Sequence, residues 1–202
     1  TNLSLVFFGS IDTLMLGRFV ETSYLAYYRV ALSIATTLSV LLSLSGVYLP
    51  AFIGINKKRL ERAFRKTTGY IFTLTFPAVI GIIFVGGYII NALYGPAYSA
   101  SVGALYVLSL LLLIDPFYSV YSSLLQVKNK VKYLARLTLV ALAINIILNY
   151  LALEALLPFG QASAILGVAG ATVISRFFIY AASYFRLKRD FKVHLWSSFI
   201  YK

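Results

Sequence analysis

The chain has 202 residues, of which 60% are hydrophobic and only 12% charged, and its mean hydropathy is +0.86. A soluble domain has about a quarter of its residues charged, so this balance excludes a soluble fold and predicts an integral membrane protein. The net charge of +12 does not imply a nucleic-acid partner, because the basic residues cluster between apolar runs, where they orient a chain in a bilayer. The absence of cysteine excludes disulfides and thiolate metal sites, and the single histidine, His194, in a polar tail cannot make a ligand cluster by itself; neither a metal nor a cofactor is expected.

An all-α, polytopic bundle of six transmembrane helices is predicted, since each apolar run has the roughly 20 residues that a crossing needs. The spans are expected at about 3–20, 24–52, 70–93, 100–125, 131–157 and 162–184. Thr1 is not an initiator methionine and no basic stretch precedes the first run, which reads as an internal start and not as a signal peptide. Pro77 and Pro116 are the natural kink points of spans three and four. Residues 1–187 then form one lobe, and 188–202 a basic and aromatic tail that leads towards a further helix.

Basic residues orient all six spans together. Lys57, Lys58, Arg59, Arg62, Arg65 and Lys66 separate spans two and three. Lys128, Lys130, Lys132 and Arg136 follow span four, and Arg186, Lys188, Arg189 and Lys192 follow span six. The segments 56–66, 128–136 and 186–192 are read as cytoplasmic loops, with residue 1 on the same side. The turns around Gly95 and Gly160 carry no lysine or arginine and face outward.

Ionisable groups inside a membrane are costly and mark function or pairing. At a rise of about 1.5 Å per residue, Asp12 lies about 12 Å and Arg29 about 7 Å below the outer ends of their spans, close enough in level to approach each other. Arg29 has the alternative of reaching outward to the headgroups. Asp115 and Arg176 share a deeper level and are expected to pair, either as a functional contact or as a buried pair that fixes helix packing.

Helical steps of three and four residues gather polar groups into stripes. Asp115, Ser119, Ser122 and Gln126 share a face of span four; Arg29, Ser33, Thr36 and Ser43 share one of span two; Asn145 and Asn149 share one of span five. Such stripes face other helices or a wet cavity rather than lipid. In span six Ser163, Gly167, Ala171 and Ser175 form a ridge of small residues suited to close helix packing, with Thr172 and Arg176 beside it.

Several segments carry a resemblance: IDTLMLG at 11–17, ETSYLAYYRVALSI at 21–34, VYLPAFIG at 47–54 before the basic segment, LYGPAYSASVGAL at 93–105, and GVAGATVISR at 167–176. Together they resemble the polysaccharide-biosynthesis, Wzx-like flippases of the multidrug/oligosaccharidyl-lipid/polysaccharide exporter superfamily. The first helix is similar to the one that opens the second, C-terminal six-helix lobe of that fold. The QASAIL stretch at 161–166 departs from the tighter turn of relatives and blurs the outer end of span six.

The resemblance implies a transporter that flips a polyprenyl-linked oligosaccharide across the cytoplasmic membrane by alternating access, in partnership with the bilayer and a second six-helix lobe. It implies Arg29, Arg176, Asn145 and Asn149 as substrate contacts. Asp12 and Asp115, with Ser119 and Ser122, would orient the arginines or carry a coupling proton or sodium ion. The alternative within the superfamily is a cation-coupled multidrug exporter using Asp12 or Asp115 for the ion and Tyr24, Tyr27 and Tyr28 around a cationic drug. A membrane-embedded enzyme of polyprenyl-phosphate metabolism is disfavoured, since the chain offers no group of acids and histidine for acid–base or metal chemistry, and no enzymatic activity is expected. A purely structural or assembly subunit is the remaining reading.

Overall fold

The computed structural model describes residues 2–43 and 57–191, with side chains placed for 8–43, 59–60 and 62–189. The expected end of span two, the VYLPAFIG segment, Lys192 and the rest of the tail with His194 lie outside the described residues. Backbone groups in hydrocarbon must be satisfied within the chain, and the described elements are accordingly helical. They are α1 Asn2–Phe19, α2 Thr22–Ser43, α3 Lys57–Tyr94, α4 Ser101–Leu108, α5 Leu111–Val127, α6 Val131–Leu156 and α7 Gln161–Phe191, with short 3-10 turns at Pro96–Tyr98 and Leu157–Phe159.

Among the described residues, five stretches are long and apolar enough to cross a membrane by length and composition: Thr22–Ser43, Arg62–Tyr94, Ser101–Val127, Val131–Phe159 and Gln161–Arg189. The expected first span, α1, has 18 residues, with Asp12 and Arg18 within its apolar run. It packs against α2, α6 and α7 instead of standing apart.

Basic segments expected as loops are largely helix ends. Lys57–Lys66 forms the first turns of α3, Lys132 and Arg136 lie within α6, and Arg186–Arg189 lies within α7. Lysine, arginine, glutamate and leucine are strong helix formers, so solvating the charges does not require leaving the helix. The 38 residues of α3 would reach about 57 Å, well beyond a hydrocarbon core of about 30 Å. Where the chain does turn, between α5 and α6, Asn129 adopts φ 57°. Lys130 N–H then donates to Leu125 O at 2.9 Å and Asn129 N–H to Gln126 O at 2.9 Å, a Schellman cap that closes α5.

The two prolines expected as kink points both lie within helices. α3 runs unbroken through Pro77, and Pro116 lies inside α5. The interruption is at Ser109–Leu110, where the Ser109 hydroxyl takes the Tyr106 carbonyl at 2.7 Å. Leu110 N–H, which an α-helix would direct to that carbonyl, goes to Val107 O at 3.3 Å instead. A serine competing for a helix carbonyl bends the chain in this way. At the far end of the bundle, Gly95 (φ 85°) and Gly160 (φ 108°) each adopt a left-handed backbone next to a proline-containing turn.

α5 sits at the centre, against α2, α3 and α7, while α7 packs most extensively on α6. Alanines 31, 35, 104, 164 and 169 are fully buried in the main core with Leu105, Leu108, Leu111, Leu112 and Ile165. Small residues there let backbones approach, which drives helix association in lipid. The Gly167 ridge shows the same effect: a Cβ on Gly167 would stand 2.5 Å from Leu156 Cδ1 and 3.0 Å from Ala152 Cβ on α6. A second core of Phe64, Tyr121, Leu125 and Leu187 gathers the basic helix ends. The opposite end is joined by Tyr27 and Tyr98, edge to face at 5.5 Å, and by Gln161, which accepts from Glu21 N–H at 2.7 Å and donates to its carboxylate at 3.0 Å. The chain at Gln161 is thus the start of α7, which fixes the end that the sequence left blurred. By contrast α3 leaves Tyr70, Phe72, Phe76, Phe84 and Tyr88 exposed, a face suited to lipid.

Candidate functional site

A cavity of about 590 Å³ opens between α1, α2 and α7. Its polar wall is made by Ser10 of α1, by Arg29, Ser33, Thr36 and Thr37 of α2, and by Thr172 and Arg176 of α7; Leu32, Val40 and Leu41 supply the apolar part. Helical spacing explains the wall: 29, 33, 36 and 37 follow one face of α2, and 172 and 176 are one turn apart on α7. Ser43, expected to continue the stripe, is buried and bonded to the Ser39 carbonyl of its own helix. Thr36 likewise donates to Leu32 O at 2.7 Å.

Two buried carboxylates stand behind this wall. Asp12 is fully buried and accepts from Tyr28 Oη, Thr172 Oγ1 and Asn149 Nδ2, each at 2.7 Å. Asn149 Nδ2 also reaches Asn145 Oδ1 at 3.3 Å. No ion pair joins Asp12 to Arg29, contrary to the expected approach: the neighbouring Tyr28 turns towards Asp12, while Arg29 is exposed and lines the cavity. Adjacent helix residues differ by about 100° in direction, so the two cannot both face the same carboxylate. The asparagines expected at substrate are fully buried on Asp12, away from the cavity wall.

The second carboxylate, Asp115 on α5, lies 3.4 Å from the Arg176 guanidinium, with both side chains almost wholly buried. The pair expected from their common depth is therefore present. Arg176 also lies over the Phe8 ring, 4.5 Å from its centre, a favourable cation–π contact. Ser122 donates to the Ser119 carbonyl at 3.0 Å within α5, so these two serines sit in the packed centre rather than in the cavity wall. Tyr24 and Tyr27 stack edge to face at 5.5 Å near Tyr98, also away from that wall.

Sequence reasoning missed Tyr28 and Thr172 as partners of Asp12, and Ser10 and Thr37 in the cavity. Thr172 had a usable signal, its position one turn from Arg176. Tyr28 had none, since it is one of several tyrosines opening α2.

Known proteins place this arrangement in context. The chain is 30% identical over 184 residues to a protein of Haloferax volcanii described as "Probable flippase AglR"; the match covers 86% of this chain and 37% of that relative. The chain thus spans little more than a third of the relative's length. No solved structure matches it. Residues 1–103 match the family described as polysaccharide biosynthesis protein. The chain belongs to that family.

Proposed function

We propose that the chain is one lobe of a flippase that carries a lipid-linked oligosaccharide across the membrane, its headgroup passing through the cavity between α1, α2 and α7. The observation that carries this reading is the pair of arginines, Arg29 and Arg176, set with hydroxyls in the wall of a cavity within the helical bundle. Moving a charged, sugar-bearing headgroup through hydrocarbon without such a path is prohibitive. Guanidinium groups suit phosphate oxygens, and hydroxyls suit sugars. The relative's description as a flippase supports the same reading.

In this scheme the basic helix ends face the cytoplasm, as the positive-inside rule requires, and residue 1 starts on that side. A second six-helix lobe supplies the facing wall, and the two lobes alternate between inward-open and outward-open arrangements. The cargo is a polyprenyl-linked glycan, and the chain acts as a transporter, not an enzyme.

Asp12 is the group suited to carry a coupling proton. Thr172 has one hydroxyl hydrogen and two acceptors within reach, Asp12 Oδ2 at 2.7 Å and Val168 O at 3.0 Å. With Asp12 ionised, Thr172 donates to it. With Asp12 protonated, Asp12 donates to Thr172 and Thr172 to Val168. Both states are satisfied without moving a heavy atom, and Thr172 connects them to the cavity wall.

Replacing Arg29 and Arg176 together by alanine in the full-length protein tests the reading. Export of the lipid-linked glycan is expected to stop while the protein still inserts in the membrane. Export at the native rate would refute it.

A further inference from the structure

We infer that Asp115 competes with the bound anion for Arg176, so that anion binding exchanges the arginine's partner and Asp115 limits how tightly the cavity holds its cargo. This rests on the anion-binding cavity proposed above and names a positioning residue that sets its affinity.

The pair is built for exchange. Guanidinium–carboxylate contacts are commonly bidentate, at about 2.7–2.9 Å, but Arg176 and Asp115 share one contact at 3.4 Å. Asp115 Oδ2 and Arg176 Nε are both buried without a partner among the described residues. The same bundle gives Asp12 three contacts at 2.7 Å, so tight geometry is available to a carboxylate in this protein. Position agrees with geometry. Arg176 lies between two acceptor sites, with Asp115 on α5 behind it and the cavity with Arg29 in front.

The physical consequence follows from charge. An uncompensated guanidinium in a buried site is costly, so the empty cavity needs a stand-in anion, and Asp115 is that group. An arriving phosphate with better geometry takes over, and part of its binding free energy is spent in leaving Asp115 unpaired. A carrier benefits, since cargo must bind well enough to enter and weakly enough to leave.

Pyrophosphate binding to the purified full-length protein, measured by calorimetry, tests this. Asp115→Asn is expected to tighten pyrophosphate on the order of tenfold, within the range usual for coupled sites, and to slow export. Asp115→Glu, whose longer side chain closes the gap to Arg176, is expected to weaken pyrophosphate several-fold. In an Arg176→Ala background both substitutions should lose their effect, the signature of coupling through that arginine. If Asp115→Asn does not fold, the glutamate variant decides alone. Unchanged or weaker binding in Asp115→Asn, or unchanged or tighter binding in Asp115→Glu, overturns the competition and leaves the anion cavity standing. Failure of the native protein to bind pyrophosphate, or binding indifferent to Arg29→Ala and Arg176→Ala, overturns both.

Discussion

Asp12 and Asp115 are both buried carboxylates in one bundle, yet they are held in opposite ways. Asp12 has three short contacts, all from neutral donors, and no cation among the described residues. Asp115 has a cation and one long contact. A charge held by several dipoles is locked in place, whereas a charge balanced by a single loose partner is free to change it. Thr172 and Arg176, one turn apart on α7, connect the two carboxylates to the same cavity wall.

The largest effect is expected where the lock is removed. Asp12→Ala takes away the acceptor shared by three buried donors: Tyr28 Oη loses its short partner, while Thr172 and Asn149 fall back on Val168 O and Asn145 Oδ1. The change should cost about 2–4 kcal/mol from typical hydrogen-bond and unsatisfied-group penalties, read as a large drop in thermal unfolding temperature in detergent. Gly167→Leu comes next. It forces α6 from α7 beside Asn149 and should cost about 1–3 kcal/mol by overpacking, weakening the Asp12 network while leaving the α5–α7 pair of Asp115 intact. Tyr28→Phe deletes one donor of three and should cost about 1–2 kcal/mol. Asp115→Asn should cost less than about 1 kcal/mol if Arg176 turns to the cavity, against roughly 3–5 kcal/mol for an arginine trapped without a partner. The same thermal measurement would thus break the comparison if Asp115→Asn proved as damaging as Asp12→Ala.

What the sequence disclosed divides along a physical line. Depth in the membrane is countable, so the pairing of Asp115 with Arg176 and the common face of Asn145 and Asn149 were legible. Helix rotation is not countable, because packing against neighbours sets it. Arg29 and Tyr28 are adjacent in sequence, and only the fold decides which of them meets Asp12. Helix breaks followed the same division: prolines are visible breakers, but the break at Ser109 depends on a hydroxyl choosing a carbonyl, which no pattern announces. The basic clusters were correctly located as charge and wrongly expected as loops, because charge and helix propensity coincide in lysine and arginine. The cavity was the least legible feature, since it arises from three helices distant in sequence.

The most direct test of the account is the pyrophosphate affinity of the full-length protein carrying Asp12→Asn compared with Asp115→Asn. Each substitution removes one carboxylate near the cavity, so a general electrostatic effect would act on both alike. The account predicts a clearly larger tightening for Asp115→Asn, abolished when Arg176 is replaced by alanine; equal shifts in the two variants, or none in Asp115→Asn, would contradict it.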